Sequence, residues 1–483
     1  MWRHTGTCSD NNLSESKLLV KLKIAIPFDL WYIRTWPETT PPSTFLANQF
    51  VEVIPMTGKR SALGIYAVVA FAAISCLAAS PITWNESLLV TLGGKNGAVP
   101  ESRPVYTASG EILGTAAIGG NTASPCLNPN GCGVVFKLSR ADSNGNRDYR
   151  VIYTFNGGAN DGQGPLGNLV LDSAGNLYGV TEFGGSLTGE YGGGTVYKLS
   201  PSASGEWSET VLHSFVGSGD GFQPLSGLTA DQAGNLYGTT SVGGANGEGT
   251  VYELSPNENG SWSETLLYSF GARDSSTGSV PAGEVTLDAA GNIYGTASSG
   301  GSLGYGVVFE LSPNSGSWAE TVLYSFTGNR DQGYPATQLW LDAGGNIYGT
   351  SGPVRNGNGA VYELTPTSGG SWTETTLHKF EMCPTCSDGL VPSSGLTPDE
   401  RGNLYGTTLF SNTGGGTIYR FVPNAGGGWN YHQIYNFNGN PQSEPDGGVT
   451  FGNRHVAYGV MIDDTVPSSG GVYQITAGDA SLE

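Results

Sequence analysis

LDAAGNIYGTA, residues 287–297, decides the fold because it recurs. LDSAGNLYGVT stands at 171–181, ADQAGNLYGTT at 230–240, LDAGGNIYGTS at 341–351 and PDERGNLYGTT at 398–408. Weaker copies are TASGEILGTA at 107–116 and GNRHVAYGV at 452–460. The shared position falls at Leu113, Tyr178, Tyr237, Tyr294, Tyr348, Tyr405 and Tyr458, with spacings of 65, 59, 57, 54, 57 and 53 residues. A near-constant period of this length marks a repeat architecture.

Two further phrases keep the same count. One is GVVFKL (133–138), GTVYKL (194–199), GTVYEL (249–254), GVVFEL (306–311), GAVYEL (359–364), GTIYRF (416–421) and GVYQI (471–475). The other is WSETVLHSF (207–215), WSETLLYSF (262–270), WAETVLYSF (318–326), WTETTLHKF (372–380) and WNYHQIYNF (429–437), with divergent copies at 147–155 and 84–92. In WSETLLYSF, Trp262, Glu264, Leu266, Tyr268 and Phe270 alternate with Ser263, Thr265, Leu267 and Ser269. A period of two predicts a strand with the aromatic set on one face. D-x-x-G-N reads as a turn, with Asp bonding back to the chain and Gly supplying positive φ.

Each repeat therefore holds four short antiparallel strands. Four strands every ~50–60 residues, seven times over, predict an all-β, seven-bladed β-propeller. A solenoid would need shorter repeats and polar caps. The order GLTxD, GNLYG, GTVYEL, WxETxLxxF resembles NHL-type propeller blades. By that resemblance GLTxD is the innermost strand a, followed outward by b, c and d. The first repeat element, 84–92, is then a d strand, and the last three, at 447–476, are a, b and c. The ring closes only if the N-terminal strand joins the C-terminal three, which also removes an exposed edge.

These phrases, over roughly 84–476, resemble the GloVer tandem-repeat family of bacterial secreted proteins (Gloeobacter/Verrucomicrobium-type). The resemblance implies export and surface or extracellular residence. It carries no catalytic residues.

Composition agrees with many short strands. Glycine is 76 of 483 residues, charged residues are 13% and aromatics 10%, which excludes a disordered acidic chain. After residue 80 we count 14 Lys+Arg against 36 Asp+Glu, a charge of −22. Such a surface repels nucleic acid and anionic membranes. Residues 56–80 read MTGKRSALGIYAVVAFAAISCLAAS, with basic Lys59 and Arg60 before an uncharged run ending in small residues. That is the layout of a signal peptide cleaved near Ala78 to Ser80, or of an uncleaved membrane anchor. Met56 reads as the true start and residues 1–55 as a non-native extension or tail. The propeller then spans 84–476, followed by a tail at 477–483.

The chemistry-bearing residues are few. His213 and His378 replace the tyrosines of sibling repeats and read as strand-face residues with a bonded ring nitrogen. GGSLG at 300–304 matches G-x-S-x-G but precedes a strand, where a nucleophile elbow needs a helix. Cys126 and Cys132 flank a b–c loop, and Cys383 and Cys386 form CPTC before blade 6. Two local disulfides are expected in an exported protein, with a four-thiolate zinc site as the alternative. The d–a loops repeat D-x-x-x-P at Asp161, Asp220, Asp331 and Asp388. Symmetry is expected to ring them around the channel mouth. They are either turn caps or, as an oxygen-only set, a Ca²⁺ site.

Two functions follow. The first is a non-enzymatic, extracytoplasmic, monomeric binding scaffold whose loops take a glycan, a peptide or a surface protein. The second is a propeller lyase or hydrolase with a metal-assisted site at the channel mouth. Repetitive polar groups favour the first; an enzyme needs unlike groups converging.

Overall fold

A computed structural model describes residues 83–478, apart from 124–125, 187–191, 218, 273–275, 355–356, 383–384, 438–442, 453–455 and 464–468. All lie in the second of two compact units, Ala79–Glu483. Residues 1–55, the export segment 56–80 and the tail beyond 478 fall outside the described residues. Seven antiparallel sheets form seven blades, each ordered a-b-c-d from the axis outward. Blade 3 is representative: Thr229–Ala230, Leu236–Thr240, Thr250–Pro256 and Trp262–Ser269.

The D-x-x-G-N phrase explains the a–b turn. Asp231 Oδ1 accepts the Ala233 and Asn235 amides, and Oδ2 accepts Asn235 Nδ2 and, at 3.3 Å, the Tyr237 hydroxyl. One carboxylate thus ties the turn to the strand it launches. The same set recurs on Asp172, Asp288, Asp342 and Asp399. The glycine after the tyrosine is a packing requirement. A β-carbon on Gly238 would run into the ring of Tyr252, which is fully buried on strand c.

Ring closure is as the phase of the repeats requires. Trp84–Gly93 pairs antiparallel with Ser469–Ala477, from Trp84 opposite Ala477 to Gly93 opposite Ser469. The apolar core lies between blades, in seven clusters. The closing cluster packs Leu92, Tyr458, Val460 and Val472 of blade 7 against Ile112, Phe136 and Leu138 of blade 1.

One expectation fails inside strand d. Strict alternation put Leu266 with the aromatic set, but Leu266 is 38% exposed and Leu267 is buried. Tyr252 pairs with Leu266 and Val251 with Tyr268, so Leu267 is the extra residue of a β-bulge. Bulges at the same place skip Ile152, Leu212, Leu323, Leu377, Ile434 and Leu89. A bulge adds a residue and increases local twist, so a period-two reading slips by one beyond it.

Candidate functional site

The four D-x-x-x-P aspartates do not form a channel ring. None lines the axial cavity. Each caps its own d–a loop and reaches back to strand d. Asp161 accepts the Asn156 amide at 2.8 Å and the Tyr153 hydroxyl at 3.3 Å. Asp220 accepts the Val216 and Gly217 amides and meets His213 Nε2 at 3.0 Å. Asp331 accepts the Thr327 and Asn329 amides and the Tyr324 hydroxyl at 2.9 Å. Asp388 accepts the Glu381 amide and meets His378 Nε2 at 2.8 Å. The reason is directional: the loop amides converge on each carboxylate, turning it into the turn rather than toward the axis. Among the described residues no three of His, Cys, Asp or Glu come together as metal ligands.

These caps also tie neighbouring blades. The Tyr153 hydroxyl bonds Glu209 of blade 2 at 3.0 Å, and Tyr268 bonds Glu320 of blade 4 at 2.7 Å. Burial, then the nearby Asp161 charge, pushes Glu209 up to about 7. At Asp220, burial pulls upward, but His213 and the Val216 amide outweigh it and hold the carboxyl below its ordinary value. In blade 6 Tyr431 takes the glutamate's place and stacks on His378, with ring centroids 3.8 Å apart.

Cys126 and Cys132 are joined by a disulfide in the b–c loop of blade 1. Cys386 is disulfide-bonded; Cys383 lies outside the described residues. Gly300–Gly304 joins strand b of blade 4 to strand c (Val307–Asn314), with no helix after Ser302.

The chemistry that repeat symmetry hid lies on the axis. A cavity of about 350 Å³ is lined by residues at or just before the start of the innermost strand in all seven blades. The residue just before the first apolar residue of strand a is Arg103, Asn168, Gly227, Glu284, Gln338, Gly395 and Gly448 in turn. Four unlike polar side chains and three glycines thus occupy one repeat position. The side chains join across the axis. Asn168 Nδ2 donates to Glu284 Oε2 at 2.7 Å, and Gln338 Nε2 donates to Glu284 Oε1 at 2.8 Å. Arg103 donates to Gln338 Oε1 at 3.3 Å and to Thr397 Oγ1 at 3.0 Å, while its amide bonds Asn168 Oδ1. Glu284 is buried, which raises its pKa against the opposing pull of Arg103 and its donors.

Beside this network stand two more carboxylates on adjacent blades, Glu101 and Asp446. Burial raises Glu101. Burial, then the Glu101 charge, pushes Asp446 up to about 7. Glu182, on strand b of blade 2, reaches about 7 through burial and then Glu101. Around the rest of the wall, hydroxyls are held by strand b: Ser226 by Thr239 at 3.0 Å, Thr337 by Thr350 at 2.9 Å and Ser394 by Thr407 at 3.1 Å. The signal for this site was in the sequence, as the variable position in an otherwise regular repeat.

A family model described as the Gloeobacter/Verrucomicrobia repeat matches residues 79–288 and 260–473. No curated protein matches the chain. Similar solved structures include a Bacteroides uniformis protein provisionally assigned as a 6-phosphogluconolactonase. It is 13% identical, with 69% of this chain and 84% of that one covered and a TM-score of 0.45. A Dyadobacter fermentans protein of unknown function is 10% identical, covering 81% and 99%, with a TM-score of 0.41. A Thermus thermophilus protein provisionally assigned as an oxidoreductase (glucose dehydrogenase) is 14% identical, covering 67% and 98%, with a TM-score of 0.38. Likenesses this distant carry no argument about activity.

Proposed function

Since the chain belongs to the Gloeobacter/Verrucomicrobia repeat family, we propose that it is an exported, extracytoplasmic β-propeller that acts by binding, with the axial pocket as its ligand site. The observation that carries this reading is the break in symmetry at the axis. Seven four-stranded blades repeat one pattern, yet Arg103, Asn168, Glu284 and Gln338 differ at one position and point their polar groups into one network. Unlike polar groups in a concave cavity are what a small-molecule site requires, for binding or for catalysis alike, so the repetition that favoured a scaffold does not extend to the axis. Export is supported by the Lys59–Ser80 segment and by the Cys126–Cys132 disulfide, a bond that persists in oxidising compartments. The net charge of −20 turns the protein away from nucleic acid and toward neutral or cationic partners.

Ala336 lines the pocket and is exposed to it. Ala336→Trp fills the cavity without disturbing the network. A panel of oligosaccharides and short peptides, scored by thermal shift on both proteins, tests the reading. A compound that stabilises only the wild type supports it; compounds that bind both equally place recognition on the loops instead.

A second reading is a lyase or hydrolase, and one observation favours it. Asp446, held near neutrality beside Glu101, has the protonation behaviour of a general acid paired with a base. Glu101→Gln or Asp446→Asn would then abolish turnover of a pocket ligand while leaving it bound.

A further inference from the structure

The axial pocket is unbalanced in charge. Its lining holds Glu101, Asp446 and Glu284 and one cation, Arg103. That guanidinium is committed to Gln338 and Thr397, and its field is spent on Glu284. Glu101 accepts no hydrogen bond among the described residues. Asp446 accepts one, from the Gly447 amide of its own turn at 2.7 Å. Asp446 is enclosed by protein on most sides and open to the cavity. Two carboxylates from adjacent blades therefore face the same space with lone pairs unused and no counter-charge.

The kinds of ligand can be separated on this geometry. An anion meets repulsion. A divalent cation of the Ca²⁺ type needs six to eight oxygens, and no group of three ligating side chains gathers here among the described residues. A neutral polyol leaves the two carboxylates repelling, with no counter-charge between them. An ammonium group carries three donors and one charge, enough to bond both carboxylates and offset their repulsion. The cavity, at about 350 Å³, suits a small molecule rather than a polymer segment. The hydroxyls of Ser226, Thr337 and Ser394 on the remaining wall suit a hydroxylated body.

Resting on the reading of the axial pocket as the ligand site, we infer that its ligand is a small hydroxylated organic ammonium, the class of a free amino sugar. Its ammonium sits between Glu101 and Asp446, and its hydroxyls face the serine and threonine wall. Binding then stabilises the ionised carboxylates, so it releases a proton from the protein and strengthens as pH rises toward about 7, the value to which Asp446 is pushed, and weakens again once the ligand's own ammonium loses its proton. Glu182 and Glu284 add to the same negative field, and Arg103 opposes it.

The test is calorimetric titration of the full chain with D-glucosamine, D-glucose and N-acetyl-D-glucosamine at about pH 5.5 and pH 7, where the amino group of glucosamine is still largely protonated. The expected result is glucosamine binding at least about tenfold tighter than either neutral sugar, with Glu101→Gln and Asp446→Asn each weakening it about tenfold. Both variants are near-isosteric, and an unchanged melting profile shows that they fold. Equal affinity for all three sugars, or no heat from glucosamine up to about 10 mM, overturns the inference. The Ala336→Trp variant separates the two claims. Neutral sugars that bind the wild type and lose binding in the variant leave the pocket as the ligand site and remove the ammonium. Sugars that bind both proteins alike overturn the pocket as well.

Discussion

Pro100 of blade 1 packs its ring on Gly470, which precedes the strand c core of blade 7: a β-carbon on that glycine would lie 2.6 Å from Pro100 Cδ. This is the closing member of a set that runs around the ring. Pro165 meets Gly133, Pro224 meets Gly194, Pro281 meets Gly249, Pro335 meets Gly306, Pro392 meets Gly359 and Pro445 meets Gly416. The residue before the proline is left-handed at Val99, Gln223, Val280, Tyr334 and Val391, with φ of 56°, 56°, 56°, 52° and 58°. For β-branched valine that conformation is strained. The strain is held in place because the proline must lie flat on the preceding blade's glycine.

Gly194→Ala is therefore expected to destabilise the protein. Its β-carbon would stand 2.6 Å from both Pro224 Cδ and the Thr181 carbonyl, at a φ of 90°. Overpacking and positive φ together predict a loss of about 2–4 kcal/mol. Urea denaturation measures it, and a loss under about 0.5 kcal/mol, the range of surface substitutions, would show that the contact relaxes freely.

Leu92, 1% exposed, sits in the cluster that seals blade 7 to blade 1. Leu92→Ala is expected to cost about 2–5 kcal/mol. Deleting 84–93 is expected to lower the melting temperature further, because it strips the outer strand from Ser469–Ala477. A truncated protein that melts like the wild type would refute the closure.

Arg103→Met removes the cation whose field reaches buried Glu284 and leaves Gln338 Oε1 and Thr397 without its hydrogen bonds, at an expected cost of about 1–3 kcal/mol. Adding Glu284→Gln restores part of that, since a neutral amide at this position needs no counter-charge. A double-mutant cycle by chemical denaturation reads the coupling. Additive effects would mean that the two groups do not interact.

Three carboxylates, Glu209, Asp446 and Glu182, are pushed up to about 7 in the folded protein, above the ordinary carboxylate value they have when unfolded. The folded state therefore binds protons that the unfolded state releases. The associated stability is fully present below the unfolded value and is lost as pH rises through about 7. The melting temperature is expected to fall between pH 5 and pH 8, and to fall less steeply in Glu209→Gln. A melting temperature that rises over this range would contradict the assignment.

The Cys126–Cys132 bond closes a short loop, so its removal in Cys126→Ser is expected to cost about 2 kcal/mol by loop entropy. Peptide mapping without reduction identifies the linked pair directly; two free thiols in the native protein would contradict it.

The repeat count, the four strands of each blade and the pairing of 84–92 with the chain's end were legible in the sequence. All rest on short-range patterns that recur: a turn needs Asp and Gly at set offsets, and a strand needs apolar residues in alternation. The bulge at Leu267 was not legible, because one inserted residue changes which face every later residue takes while leaving the composition of the strand untouched. The aspartates show the same limit. D-x-x-x-P gave their period, but the direction of each carboxylate was decided by loop amides that only the folded turn brings together. The axial site left one trace in the sequence, a variable position in a regular repeat, but its grouping was decided by the tertiary structure. Gln338 stands 235 residues from Arg103 and 54 from Glu284 in the chain, and the three meet because seven blades converge on one axis. Repetition in the sequence determined the ring; the few positions where repetition fails acquire their chemistry only when closure places them face to face.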